Sequence, residues 1–150
     1  MQLPQVLIDD LSNTELAGGE WFSPAGALPE IPDGLGAYLL LIGLAQPVVL
    51  NASRFAGLEF PAGWYVYAGS AKGPGGLHAR VARHLRRDKR AHWHVDHLTD
   101  DASVMPLCFP GTDECSLMDA LIAASAFTIP APGFGSTDCR RCDSHLVRWA

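Results

Sequence analysis

The spacing of apolar residues predicts β-strands in the first half of the chain. Two short apolar runs, at 38–42 and 47–50, are separated by a turn region and together predict a β-hairpin. The segment 63–67 is aromatic and β-branched, which favours a third strand. Because side chains alternate along a strand, its two tyrosines are expected on one face of the sheet and Trp64 and Val66 on the other.

Helical spacing replaces this alternation in two later segments. Between residues 77 and 87, apolar positions recur every fourth residue and predict the buried stripe of a helix. That stripe consists of Leu77, Val81 and Leu85. A second helix is predicted at 113–127, with Thr112 as its N-cap. Its apolar side consists of Leu117, Met118, Leu121 and Ile122.

The rest of the chain divides into an N-terminal extension and a C-terminal tail. Residues 1–33 are rich in proline, glycine and acidic residues, and we expect them to form an extension that contributes one strand and packs onto a domain spanning 34–150. The tail contains a loop at 130–136 and a short strand at 146–149. With 150 residues, of which 48% are hydrophobic and 18% charged, the chain fits one packed domain rather than a disordered segment.

The charge of the chain is acidic on average but locally basic. A formal net charge of −5 argues against a protein that coats nucleic acid without specificity. Six of the 11 lysines and arginines nevertheless fall between positions 80 and 90. A basic patch on an acidic protein favours local contact with a polyanion.

The sequence pattern predicts neither a secretory signal nor a membrane-spanning segment. The first residues carry neither the basic region nor the apolar region of a secretory signal, and the apolar stretch at 35–50 is interrupted and too short to cross a bilayer. We therefore expect a cytoplasmic protein without membrane contact. In that compartment the four cysteines are expected to be thiols or metal ligands rather than disulfides.

A strand, a glycine-rich loop and a basic helix place polar groups close together between residues 67 and 84. Arg80 and His84 stand four positions apart, on one helix face. Hydrolysis of a phosphodiester needs a cation on the non-bridging oxygens, an acid or base near the phosphorus and usually a metal. Arginine binds phosphate through two hydrogen bonds, and histidine or tyrosine can move a proton. The alternative interpretation is a solvated basic helix beside ordinary sheet tyrosines.

A family resemblance is carried by three short elements. They are Gly36-Ala37-Tyr38, Tyr67-Ala68-Gly69 and the helical string from Leu77 through Arg80 to His84. In this order they resemble the GIY element, the YIG element and the following helix of the GIY-YIG nuclease superfamily. The wider strings 63–96 and 132–136, together with Glu114, are similar to a small GIY-YIG-like branch of bacterial and archaeal proteins.

This resemblance implies an α+β fold, with a three-stranded antiparallel sheet flanked by helices, and hydrolysis of DNA phosphodiester bonds with one Mg²⁺ or Mn²⁺ ion. Tyr38 and Tyr67 would position or activate the attacking water. Arg80 would stabilise the charge at phosphorus, and His84 would assist proton transfer. Glu114 would hold the metal ion. The residues expected at further phosphates are Lys72, Arg83 and Arg87.

Two departures from the family pattern put catalysis rather than fold in question. The 28 residues between the two tyrosines far exceed the compact hairpin of the best-known members, and Ser70 stands where repair-type members carry a lysine. The alternative function is therefore a non-catalytic nucleic-acid-binding or protein-interaction module that retains the fold. Glu114 also has an alternative role, because an acid in the first turn of a helix complements the helix dipole.

A second group of reactive residues lies at Cys139-x-x-Cys142-x-x-His145, with Cys115 elsewhere in the chain. Thiolates spaced in this way can share a Zn²⁺ ion, and a distant cysteine can complete four-coordination. A reversible dithiol and reduced structural cysteines are the alternatives. Cys108, in an apolar setting, is interpreted as a core residue.

A third group lies in the segment 92–97, which is rich in histidine and tryptophan. Alternation would bring His94 and Asp96 to one side, and we expect them to support the site from beside Arg80. The alternative is that this segment packs a helix end through satisfied hydrogen bonds.

Overall fold

The fold of the chain is given by a computed structural model. It describes residues 2–14, 16, 20–21, 31, 34–50, 55–86, 95–99, 102–136, 139 and 141–149. The helices in these ranges are α1 (Gln5–Ser12), α2 (Gly76–Leu85), α3 (Asp96–Thr99) and α4 (Glu114–Ala123). The strands are β1 (Glu20–Trp21), β2 (Gly36–Leu44), β3 (Val48–Val49), β4 (Glu59–Phe60), β5 (Gly63–Ala71), β6 (Ser103–Pro110), β7 (Phe127–Thr128) and β8 (Leu146–Trp149).

Six strands form one antiparallel sheet in the order β1-β6-β2-β5-β8-β7. Helices flank this sheet, so the predicted α+β class is confirmed. The sheet is larger than the three strands expected, because it extends beyond β2 and β5 on both sides. Along the central pair the register runs from Gly36 opposite Ala71 to Leu44 opposite Gly63.

The predicted hairpin between 38–42 and 47–50 is wrong. β3 pairs with β4, where Val48 lies opposite Phe60, and these two strands form a separate ribbon. The cause is the length and burial of β2, whose nine residues are all buried except the first. Buried backbone N–H and C=O groups need partners along the whole strand, and β5 and β6 provide them.

The strand β6 has no counterpart among the predicted elements. Pro106 and Pro110 interrupt its apolar pattern, and proline is depleted inside sheets because it lacks a backbone donor. Pro106 nevertheless lies opposite Leu40 of the central strand. The sheet therefore accepts a proline that a pattern-based prediction counts against a strand.

Alternation along β2 and β5 produces two apolar layers. One layer contains Tyr38, Leu40, Ile42, Tyr65 and Tyr67 and packs against Leu77 and Val81 of α2. The other contains Leu39, Leu41, Trp64 and Val66 and packs against Leu7 and Leu11 of α1 and Leu117, Met118 and Leu121 of α4. The predicted alternation in 63–67 is thus confirmed. The tyrosines of both family-like elements lie on the α2 side of the sheet.

Both predicted helices are present, and α4 ends earlier than expected. Its N-cap is Asp113 rather than Thr112, because the Asp113 carboxylate accepts a hydrogen bond from the backbone N–H of Cys115 at 2.8 Å. The helix ends at Ala123, and Ile122 near that end is 43% exposed instead of lying in the core.

The N-terminal extension contributes a helix as well as a strand. Leu7 and Leu11 of α1 are buried, and the indole N–H of Trp149 donates to the Asp10 carboxylate at 2.7 Å. β1 pairs with β6 at the edge of the sheet. None of the helices within the described ranges has the length and apolar character needed to cross a membrane.

Candidate functional site

The Tyr38 ring lies across Gly69 on the neighbouring strand. The two residues are cross-strand partners in β2 and β5. A Cβ atom on residue 69 would lie 2.3 Å from both Cζ and Oη of Tyr38, so only glycine fits there. The last residue of the YIG-like element thereby lets the tyrosine of the GIY-like element extend over β5.

The Tyr38 hydroxyl meets His84 of α2. Its oxygen lies 2.6 Å from Nε2, and the two ring centroids are 5.3 Å apart. Tyr67 approaches the same imidazole edge-on, with centroids 6.2 Å apart. Both Tyr38 and His84 are only 1% exposed. Three of the predicted catalytic side chains are therefore in contact at one place in the core.

Asp96 lies on the other side of His84. Its Oδ1 atom is 3.7 Å from Nδ1 of the imidazole. The carboxylate is 1% exposed and accepts two hydrogen bonds from the Arg83 guanidinium, at 3.1 and 3.0 Å. Asp96, expected beside Arg80, thus forms its fork-shaped pair with Arg83. Arg83, expected at a phosphate, is engaged inside the protein, and His94 lies outside the described residues.

Arg80 lies near both tyrosines. Its Nη1 atom donates to the backbone carbonyl of Ser70 at 3.1 Å, at the end of β5. Its positive charge opposes the rise in the pKa of both Tyr38 and Tyr67. Ser70 therefore holds the arginine through its backbone carbonyl.

The two tyrosines are protonated at neutral pH. Burial, with a smaller contribution from the neighbouring Tyr67, raises the pKa of Tyr38 well above its ordinary value of 10.0. Burial, followed by the charges of Glu114 and Asp96, raises the pKa of Tyr67. The hydrogen bond between the Tyr38 hydroxyl and Nε2 of His84 has the hydroxyl as donor in the tautomer that carries the imidazole proton on Nδ1, facing Asp96.

Glu114 begins α4 at the same end of the sheet. Its side chain is 23% exposed, and its Oε2 atom lies 3.7 Å from Nδ1 of His145. The carboxylate is close enough to Tyr38 and Tyr67 to raise the pKa of each. It therefore lies beside His145 and within electrostatic reach of the two tyrosines.

The cations expected at phosphates are placed differently. Lys72, just after β5, is exposed and close enough to Asp113 to help lower the pKa of that carboxyl, an effect in which hydrogen bonds from Ser116 and Cys115 are larger. Arg87 lies outside the described residues.

The four residues considered as zinc ligands come together. Cys115, Cys139, Cys142 and His145 each offer one donor atom, and these atoms all lie within 4.8 Å of one another. The thiols of Cys115 and Cys139 are 3.4 Å apart. This cluster could hold a metal ion, and a set of three thiols and one imidazole is compatible with zinc.

The thiol of Cys139 is the most acidic of the cluster. Burial raises its pKa, but interactions with the backbone N–H groups of Arg141 and Cys142, with the Cys115 thiol and with the His145 side chain outweigh burial and lower the pKa to about 6. Burial raises the pKa of Cys115 and of Cys142. The three thiols, which differ in acidity, thus lie together in one small volume.

Backbone contacts join this cluster to β5. The N–H of His145 donates to Phe134 at 2.8 Å, and its carbonyl accepts from Ala68 at 2.9 Å. Gly135 has a φ of +70°, and a Cβ there would lie 2.8 Å from the Tyr67 ring and 3.3 Å from the His145 Cβ. The tyrosine cluster and the cysteine cluster are therefore adjacent.

Two of these relationships could not be predicted from sequence patterns. The Arg83–Asp96 pair spans 13 positions and joins two helices with no spacing signal between them. The approach of Glu114 to His145 depends on how the loop before β8 folds back on the sheet.

Comparison with known proteins gives one match. The family model described as "Domain of unknown function DUF123" matches residues 37–150. No curated protein and no solved structure matches the chain significantly.

Proposed function

The chain belongs to the DUF123 family, and from the geometry of its site we propose that it is a metal-dependent endonuclease that hydrolyses DNA phosphodiester bonds. One observation carries the proposal. The segments that resemble the GIY element, the YIG element and the following helix converge, because Tyr38 lies across Gly69 and its hydroxyl oxygen is 2.6 Å from Nε2 of His84.

Tyr38, His84 and Asp96 form a path for a proton in this proposal. As the attacking water oxygen bonds to phosphorus, the Tyr38 oxygen takes the water proton and passes its own proton to Nε2 of His84. The imidazolium that results is stabilised by Asp96, whose carboxylate lies 3.7 Å from Nδ1. The leaving oxygen takes a proton from solvent as the bond to phosphorus breaks, and the imidazolium then returns its proton to solvent, which restores the starting site.

Arg80 and Tyr67 supply the electrostatic part of the mechanism. Arg80 is fixed by the Ser70 carbonyl close to both tyrosine hydroxyls. A guanidinium held in advance at this place stabilises the negative charge that develops on the non-bridging oxygens. The protonated Tyr67 hydroxyl donates a hydrogen bond to the water or to the phosphate, and the exposed Lys72 contacts a neighbouring phosphate.

Glu114 is the proposed ligand of the catalytic Mg²⁺ or Mn²⁺ ion. Mg²⁺ in phosphoryl-transfer sites is held by one or two carboxylates, with waters and substrate oxygens completing its shell. A single partly exposed carboxylate beside the tyrosine cluster fits this requirement. When bound, the ion supplies Lewis-acid polarisation of the phosphate.

The second candidate function is a non-catalytic nucleic-acid-binding or protein-interaction module with the same fold. It is favoured by the burial of Tyr38 and His84, which are 1% exposed and so lie away from bulk water. In both candidates Zn²⁺ is the proposed occupant of the Cys115, Cys139, Cys142 and His145 cluster, because thiolates select it over Mg²⁺.

The experiment that separates the two functions is a cleavage assay on labelled supercoiled, flap, branched and single-stranded DNA with Mg²⁺ or Mn²⁺. We expect the wild type to cut at least one substrate. Arg80→Ala should lower the rate by roughly 100-fold or more, as does the loss of one preorganised donor in other sites. Glu114→Gln should abolish metal-dependent cleavage. Arg148→Ala, which removes a half-buried arginine of β8 outside the basic patch at 80–90, is the matched control and should cut normally.

Absence of cleavage by the wild type, together with DNA binding that weakens as salt is raised, would replace the enzyme with the binding module. In that case each lost phosphate contact lowers the slope of log affinity against log salt by about one. Normal cleavage by Arg80→Ala would remove that arginine from the proposed mechanism.

A further inference from the structure

The cluster of Cys115, Cys139, Cys142 and His145 has the dimensions of a slightly open tetrahedral site. Zinc–ligand bonds of about 2.0–2.3 Å place neighbouring donor atoms about 3.5–3.8 Å apart. Here all the donors lie within 4.8 Å, and the Cys115 and Cys139 sulfurs are 3.4 Å apart. Shifts of roughly 1 Å or less, with the Cys115 and Cys139 sulfurs moving slightly apart, therefore bring the four donors to zinc geometry.

The two nitrogens of His145 have different surroundings. The residue is 3% exposed, and its Nε2 atom is buried without a partner at ordinary hydrogen-bond geometry among the described residues, although the His145 side chain is close enough to Cys139 to help lower the pKa of that thiol. Leaving such a nitrogen unpaired is unfavourable unless another partner, such as a metal, binds it. Nδ1 lies instead 3.7 Å from Oε2 of Glu114.

We propose that Cys115, Cys139, Cys142 and Nε2 of His145 bind one structural Zn²⁺ ion and that Glu114, through Nδ1 of His145, is the carboxylate that orients this ligand. With all three cysteines bound as thiolates and the imidazole neutral, the occupied site carries a net charge of −1. A carboxylate behind a metal-bound histidine fixes the tautomer and the ring orientation of the ligand. Glu114 therefore acts on the zinc site as a positioning residue.

In this proposal the Glu114 carboxylate serves both metal sites. Its Oε2 atom lies 3.7 Å from Nδ1 of His145, and the carboxylate is also close to Tyr67. Cys115, the next residue, is a ligand, so zinc would restrain the start of α4 directly. This part of the inference rests on the proposed function, since it makes the zinc site a support for the carboxylate that holds the catalytic ion.

The zinc site itself is tested without DNA. We expect the purified full chain to contain one zinc per molecule. The Co²⁺-substituted protein should show tetrahedral d–d bands and charge-transfer absorption from three thiolates. Cys142→Ser should lose zinc, whereas Cys108→Ser, a buried cysteine of β6 outside the cluster, should retain it. If Cys142→Ser does not fold, the number of thiolates in the wild-type cobalt spectrum still decides the ligand set.

The positioning role of Glu114 is tested by zinc affinity, measured by competition with a chromogenic chelator. Loss of such a carboxylate weakens metal binding by about 10–100-fold in other sites. We expect this loss in Glu114→Gln, together with a shift of the cobalt d–d bands. Glu59→Gln, an exposed glutamate of β4, is the control and should bind zinc like the wild type. Unchanged affinity and spectrum in Glu114→Gln would overturn the role of Glu114.

The outcomes for zinc and for nuclease activity are separable. Zinc binding that weakens in Glu114→Gln, without DNA cleavage by the wild type, supports the zinc inference and rejects the enzyme. Cleavage by a chain that contains no zinc, or that carries a Cys115–Cys139 disulfide, supports the enzyme and rejects the zinc inference.

Discussion

The ring of Tyr38 occupies the space that a side chain on Gly69 would fill, since a Cβ atom added there would lie only 2.3 Å from the tyrosine hydroxyl oxygen. This relationship explains why residue 69, two positions after Tyr67, is a glycine. It also fixes the direction in which the Tyr38 hydroxyl reaches His84. The steric requirement of one strand therefore decides the position of a reactive group on the next.

The first prediction concerns this contact. Gly69→Ala forces the Tyr38 ring or the strand to move, and overpacking of this kind lowers the free energy of unfolding by about 1–3 kcal/mol. Gly34→Ala is the control, since a Cβ at residue 34 meets no atom within 4 Å. Urea denaturation of both variants measures the difference. Equal stability of the two would show that Tyr38 is not constrained by Gly69.

The second prediction concerns the pair of Arg83 and Asp96. The Asp96 side chain is 1% exposed, so either single alanine variant leaves a charge without its partner. We expect a double-mutant cycle to give a coupling free energy of about 1–3 kcal/mol. The exposed pair of Arg141 and Asp119 serves as the comparison, and its coupling should be clearly smaller because solvent screens it. Equal coupling in the two pairs would contradict the buried geometry.

The third prediction concerns alkaline pH. The pKa of all three tyrosines is raised in the folded chain, mainly by burial. Above pH 10.0, the ordinary tyrosine pKa, the unfolded chain releases phenolic protons that the folded chain retains, so the free energy of unfolding falls as pH rises. Below pH 10.0 the tyrosines are protonated in both states, so they do not make the free energy of unfolding depend on pH.

Denaturation curves at increasing pH, with tyrosinate absorbance at about 295 nm as a second signal, measure this effect. Tyrosinate should appear together with unfolding rather than before it. Tyr38→Phe should make the decline with pH less steep, because one of the retained protons is absent. A wild-type chain that forms three tyrosinates near pH 10 while still folded would refute the burial of these hydroxyls.

The central strands could be predicted because their signal is local. Alternation in 63–67 separates Tyr65 and Tyr67 from Trp64 and Val66, and both layers are present in the fold. The partner of β2 could not be predicted in the same way, since β5 and the nearer but shorter β3 are both apolar. β6 was not predicted because Pro106 and Pro110 interrupt its apolar pattern. Its pairing with β2 also depends on how the whole sheet assembles.

The candidate site shows the same division between local and long-range signals. The spacing of Arg80 and His84, and that of Cys139 and Cys142, can be found along the chain. The contacts of Asp96 with Arg83 and of Glu114 with His145 arise only when separate elements pack together. The residue types and the grouping of the four candidate zinc ligands were therefore predictable, whereas the contacts of Asp96 and of Glu114 were not.

The fourth prediction concerns Gly135, which separates Tyr67 from His145. At its φ of +70° any other residue is strained by about 1–2 kcal/mol, and a Cβ would also lie 2.8 Å from the Tyr67 ring. Gly57→Ala is the matched control, because residue 57 has a φ of +85° but a Cβ added there would meet no atom within 4 Å. The destabilisation of Gly135→Ala beyond that of Gly57→Ala therefore reports the steric contact alone. We expect an excess of about 1–3 kcal/mol, measured by urea denaturation.

Zinc affinity gives the same pair of variants a second readout. Because the Cβ of Gly135→Ala would lie 3.3 Å from the His145 Cβ, the affinity should fall in this variant and not in Gly57→Ala. A stability loss equal to that of the control, with unchanged zinc affinity, would mean that the tyrosine and cysteine clusters are not mechanically joined at this glycine.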